Sequence, residues 1–190
     1  MTEQQPLNIT PLPLKLRVED YLLLDASDAF ADYGKTELID GEIFFMNAQH
    51  RPHARLKSRL AVALDAALGK IASRLEMMIE PSVAMPPHSV PEPDIVLTAE
   101  PEGDGPVPLA SVALLVEIAD ATLANDLGKK AALYAQNGVP EYWVVDVAAR
   151  RVHLLWSPAD SVFRERAGVA FGETITAMTI VGLRVETGSL

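Results

Sequence analysis

The stretch LLVEIADATLANDLGKK, Leu114 to Lys130, decides how this chain is read. It opens inside an apolar run, Val112 to Val116, that reads as a buried strand. Glu117 and Ile118 continue the run without a break. A carboxylate buried alone costs several kcal/mol, on the order of the whole margin of stability of a domain, unless it is paired or binds a metal. Glu117 therefore needs a partner.

Toward the C-terminus, the pattern predicts a helix over about 125–137, closed by Gly138 with Pro140 just beyond. EYWVVDV (141–147) and RVHLLW (151–156) read as strands joined by a short turn. The strand, helix and strand have the length of a crossover unit, which makes strands 112–118 and 141–147 expected parallel neighbours. Toward the N-terminus, PEPDIVLT (91–98) is a short strand framed by prolines, with Asp94 at its start. Residues 101–108 read as a Gly/Pro loop, and 74–86 as a strand or a strand pair. Leu56, Leu60, Leu64 and Leu68 recur every four residues in an amphipathic helix over 53–72. TELIDGEIFFM (36–46) reads as a hairpin turning at Asp40-Gly41. RVEDYLLL (17–24) is a short helix, and the tail 161–190 is β-rich, completing the sheet. Residues 1–15 form a Pro-containing arm, and 16–190 a single domain. The fold class is α/β (α+β), with a central mixed β-sheet flanked by helices.

Bulk properties narrow the function. The 190 residues are 49% hydrophobic, enough for a substantial core. The absence of cysteine excludes disulfides and thiolate metal sites. No apolar run approaches the roughly 18 residues of a membrane span, and the N-terminus lacks a signal-peptide pattern. A cytoplasmic protein is expected, with no membrane partner. The net charge of −10 argues against coating nucleic acid by charge alone, but is compatible with acidic residues gathered at a metal. HRPHARLKSR (50–59) is locally basic and is read as a solvated helix face rather than a phosphate-contacting patch.

Asp94 and Glu117 are two carboxylates set into apolar strands that the intervening loop can bring side by side. They would repel unless a cation lay between them. Oxygen ligands without cysteine favour Mg²⁺ or Mn²⁺, and water on such an ion can attack a phosphodiester. A lysine nearby would stabilise the developing charge. Ala119, two residues beyond Glu117, can neither stabilise that charge nor orient the attacking water; Lys129 and Lys130 are the nearest lysines. Asp126 and Lys130, four apart, also predict an ordinary helical ion pair. His53 reads as a helix-start or surface residue, Tyr134 and Trp143 as core, and Glu42 as solvent-facing.

EPDIVL followed by VEIADATLANDLGKKAALYAQNGVPEYWVVD resembles the Uma2 family, DUF820-type members of the PD-(D/E)XK restriction-endonuclease-like superfamily. The resemblance runs over roughly residues 16–157. Its most specific part is the spacing of Glu117, Asp126, Lys130, Tyr134, Gly138-Val139 and Glu141-Tyr142-Trp143. It implies a restriction-endonuclease-like fold and metal-dependent cleavage of DNA, with Asp94 and Glu117 as the motif carboxylates. Lys130 would be a migrated lysine, with Lys129 as its rival, and Glu37 an additional acidic member. Mg²⁺ or Mn²⁺ would be held by Asp94, Glu117 and the carbonyl of Ile118. Ala119 departs from the family pattern, where a serine is common. The other readings are a catalytically inactive nucleic-acid-binding or protein-interaction module on the same fold, and hydrolysis of a small phosphoester. A homodimer is expected, since cutting both strands needs two sites.

Overall fold

The computed structural model describes residues 13–46 and 48–190. The expected N-terminal arm, 1–15, lies almost wholly outside the described residues. In chain order the elements are α1 (Val18–Ala26), β1 (Thr36–Ile39), β2 (Glu42–Phe45), α2 (Arg51–Lys70), β3 (Glu76–Ile79) and β4 (Val83–Ala84). They continue with β5 (Ile95–Thr98), β6 (Val107–Pro108), β7 (Val112–Ala119), α3 (Leu123–Asn125), a π-helical turn (Asp126–Lys130) and α4 (Ala131–Gln136). Last come β8 (Glu141–Asp146), β9 (Arg151–Ala159), β10 (Val162–Ala170), β11 (Thr174–Thr176) and β12 (Arg184–Glu186).

Six strands form a mixed sheet in the order β10-β9-β8-β7-β5-β3. β7 and β8 run parallel, as the crossover length predicts, and the other neighbours are antiparallel. The period of two along β7 sends Leu114, Val116 and Ile118 to one face, and Leu115 and Ala119 to the other. On the first face α2 lays down Leu56, Leu60, Leu64 and Leu68, and the β11–β12 pair adds Ile175 and Val185. On the second face α4 packs Ala131, Tyr134 and Ala135 against Tyr142 and Val144. Both faces of β7 are thus covered, which is why its sequence is a continuous apolar run rather than an alternation.

Local details follow the chemistry of the residues. Asp40 and Gly41 both take positive φ, 49° and 82°, as a two-residue type I′ hairpin turn requires. α2 starts at Arg51, two residues before its expected start, with Pro52 in the first turn where its missing N–H costs nothing. The segment 74–86 resolves into two separate strands. The expected loop 101–108 needs one correction: Val107 and Pro108 pair in parallel with Val83 and Ala84. Proline is tolerated there because the strand is two residues long and lies outside the main sheet. Among the described residues, no helix is long and apolar enough to cross a membrane.

Candidate active site

β5 and β7 are antiparallel neighbours, with Ile95 opposite Val116. Asp94, one step before β5, therefore lies across from Glu117. β5 begins only at Ile95, so the N–H of Ile118 has no partner on that strand and donates to Asp94 Oδ2 at 2.7 Å. α2 supplies the rest of the setting. His53 Nε2 donates to the same oxygen at 3.1 Å, and Lys57 Nζ lies 3.2 Å from Oδ1. Burial of Asp94 would raise its pKa; His53, the Ile118 amide and Lys57 outweigh it and hold the carboxyl below its ordinary value.

Glu117 is 5% exposed. Its Oε1 accepts from Lys130 Nζ at 3.0 Å and from the Tyr134 hydroxyl at 2.8 Å. Lys130 also reaches Glu37 Oε2 at 3.3 Å, and the Glu92 amide donates to that oxygen at 3.4 Å. Burial pushes the Glu117 pKa up to about 8; Lys130 opposes this, and the negative charges of Asp94, Asp126 and Glu37 add to it. Lys130 is itself moved upward: its burial acts the other way, but Glu117 and Glu37 outweigh it. The two shifts differ in origin: burial dominates at Glu117, while the negative charges of Glu117 and Glu37 dominate at Lys130.

Of the two candidate lysines, Lys130 is buried between Glu117 and Glu37, while Lys129 is exposed. The sequence expectation of an Asp126–Lys130 ion pair needs correction. Lys130 turns inward to its two carboxylates, and Asp126 is served by the Thr122 hydroxyl at 2.5 Å and Asn125 Nδ2 at 3.4 Å. The turn that presents Lys130 is a π turn, a rare departure from the α-helix that is frequent at functional sites. Tyr134 and Trp143 are core, as expected, with no exposed surface. The Tyr134 ring packs in the core while its hydroxyl reaches Glu117. Glu42 is exposed. Ala119 is buried among apolar neighbours and adds no polar group.

Two readings of the basic segment 50–59 change. His53 sits in the first turn of α2, as expected, but it is largely buried rather than on the surface, and Lys57, 7% exposed, is not part of a solvated face. Both turn toward Asp94 because they share the helical register of Leu60 and Leu64, the face that packs on the sheet. That register was the available signal. Lys57 is held in turn by Gln49 and by an ion pair to Glu80. Glu80, absent from the sequence-level candidates, is partly buried, which raises its pKa, but hydrogen bonds from Lys35, Lys57 and Gln49 bring it down to about 2.

The donors suit a hard cation in kind: carboxylates and a backbone carbonyl, with no thiolate. Both protein donors to Glu117 use Oε1; among the described residues Oε2 accepts no hydrogen bond. Ile118 directs its N–H to Asp94, and strand geometry turns its carbonyl toward the same edge. No three His, Asp or Glu side chains among the described residues come close enough to hold an ion on their own. A cation at Asp94 and Glu117 would keep several waters, as Mg²⁺ commonly does with one or two protein carboxylates.

A solved structure of a "putative nuclease belonging to DUF820" from Anabaena variabilis ATCC 29413 has the same fold. Its TM-score is 0.61 at 15% identity, over 94% of this chain and 93% of that one. No curated protein matches the sequence. The profile of the Uma2 family, described as "Putative restriction endonuclease", matches residues 18–187. That match spans nearly all of the described chain, including both strands that bring Asp94 and Glu117 together, and the protein belongs to the Uma2 family.

Proposed function

We propose that this protein is a metal-dependent endonuclease that hydrolyses DNA phosphodiester bonds, with Asp94, Glu117 and Lys130 at its centre. One observation carries the reading. Glu117 is buried across from Asp94 on adjacent strands, with Lys130 and Tyr134 gathered on a single oxygen. A purely structural carboxylate needs no second carboxylate facing it. Mg²⁺ or Mn²⁺ would be held by Asp94, Glu117 and the Ile118 carbonyl, and would supply Lewis acidity toward the phosphate and a more acidic water.

The chain's own residues have distinct parts. Lys130 places a permanent positive charge beside the carboxylates and stabilises charge developing on the phosphate in the transition state. Tyr134 is a positioning residue that fixes the Glu117 carboxylate. His53 and Lys57 orient Asp94. Glu37 is the second anchor of Lys130 and keeps its ammonium aimed at the site. A homodimer belongs to the same proposal, because two sites are needed to cut both strands of a duplex. Light scattering on the purified protein checks it.

The deciding experiment is nicking of supercoiled plasmid with Mg²⁺ or Mn²⁺, comparing wild type, Asp94→Ala and Lys130→Ala. Metal-dependent nicking by wild type and its loss in both variants is the expected result. Nicking that survives Asp94→Ala would sink the assignment. Metal binding without nicking by wild type would keep the site and remove DNA as its substrate.

A further inference from the structure

The residues that turn away from Asp94 on α2 form a second feature. Arg51, Arg55 and Arg59 follow one another at intervals of four along its exposed flank and line a cleft of about 600 Å³. Arg150, from the turn between β8 and β9, closes the cleft from the other side. Arg51, Arg55 and Arg59 form no ion pair among the described residues, in a chain of net charge −10. No carboxylate side chain lines the cleft. Arg150 is held in place, its guanidinium 5.0 Å above the Phe171 ring and donating to the main-chain oxygen of Leu190 at 3.2 Å. Three unpaired arginines beside a fourth, around one concavity, repel one another unless an anion enters. Guanidinium groups match phosphate oxygens in geometry as well as charge.

The geometry points to this cleft as a track for the phosphate backbone of DNA, holding the strand beside the candidate active site. The identity of the polyanion rests on the nuclease reading; the cleft itself does not. Eight residues of α-helix advance about 12 Å, so Arg51 to Arg59 span roughly two or three phosphates of one strand. The helix is about 10–12 Å across, so phosphates on this flank lie a few nucleotides from Asp94 on the other. One helix thereby serves both tasks: His53 and Lys57 set the carboxylate, while the arginines set the substrate. The overall negative charge becomes useful, because the duplex is repelled elsewhere and attracted here.

The test is binding of a labelled DNA duplex in EDTA, where chemistry is silent, read by fluorescence anisotropy across about 50–200 mM salt. Arg55→Ala/Arg59→Ala is compared with wild type and with Lys70→Ala/Arg74→Ala, which removes the same charge at and just beyond the other end of α2. All four positions are exposed, so the fold should be retained, and circular dichroism checks it. The cleft variant is expected to bind at least about tenfold more weakly, with the slope of log K against log salt reduced by about 2, one per lost phosphate contact. The control variant is expected to stay within about twofold of wild type. Equal weakening in both double variants, or none in the cleft variant, overturns the inference. Cleft-dependent binding by a protein that never nicks DNA with Mg²⁺ or Mn²⁺ would sink the nuclease reading and leave the track standing. Nicking with unchanged KM in the cleft variant would do the reverse.

Discussion

Glu117 and Glu141 are buried carboxylates on adjacent parallel strands, and they are buried for different reasons. Glu141 has no exposed surface and opens β8. It accepts from Trp143 Nε1 at 2.6 Å, from the amides of Met178 and Thr179 at 2.9 and 2.8 Å, and from the Thr179 hydroxyl at 2.9 Å. All these donors are neutral, both oxygens are used, and the effect is to brace the C-terminal tail against the sheet. Glu117 has two donors on one oxygen, one of them a cation, and a second carboxylate opposite. Burial is therefore a poor marker of a site. What distinguishes Glu117 is that its hydrogen bonding is incomplete and its surroundings carry excess negative charge, a condition that a cation relieves.

The contrast can be broken from either side. Glu117→Gln is expected to lower plasmid nicking by at least about 10³-fold, some 4 kcal/mol of transition-state stabilisation, with the thermal midpoint little changed. A variant with wild-type nicking would put Glu117 in the same class as Glu141. Glu141→Ala should do the opposite. It strands buried N–H donors and is expected to cost at least about 3 kcal/mol of stability in urea titrations, with activity per folded molecule retained. A stable Glu141→Ala protein would show that the tail is held by other contacts.

Two smaller effects sharpen the comparison. Lys130→Ala is expected to reduce nicking by about 10²-fold, while Lys129→Ala stays within about twofold. Equal losses in initial rate for the two variants would remove the special role of the buried lysine. The last prediction concerns pH. The folded pKa of Glu117, about 8, lies above its ordinary value of 4.5. Its contribution to stability is therefore fully present below the lower value and is lost as pH rises through the upper one. Without divalent ions, the wild-type urea midpoint should fall between about pH 5 and pH 8, and Glu117→Gln should flatten that fall. The same fall in both proteins would place the titrating group elsewhere.

Much of the fold was legible because it rests on period and punctuation. The leucine stripe marked α2, Asp40-Gly41 marked the first hairpin, and an apolar run without alternation marked β7 as covered on both faces. The pairing of β4 with β6 was not legible. Two residues carry no period, and one of them is a proline. The pairing of Asp126 was misjudged because spacing along a helix reports only local neighbours; Lys130 found two carboxylates from distant parts of the chain. The inward turn of His53 and Lys57 toward Asp94 was missed for a related reason. Their polarity suggested solvent, while their register with Leu60 and Leu64 pointed inward, and the buried charge of Asp94 decided the matter.

The sequence by itself determined the elements, the carboxylate in the buried strand, the requirement that it have a partner, and the resemblance to the Uma2 family. These are properties of neighbours along the chain and of composition. The resemblance pointed to Lys130, and only the tertiary structure decided between it and Lys129 and brought in Tyr134, His53 and Lys57. Strand register set Asp94 across from Glu117, and the start of β5 at Ile95, one residue after Asp94, left the Ile118 amide free. The π turn carried Lys130 inward while Lys129 stayed in water. The two flanks of α2 divided one basic segment into residues that hold a carboxylate and residues that line an open cleft. Electrostatic energy depends on distance and burial in space, and neither is fixed until the sheet and both helical layers are assembled.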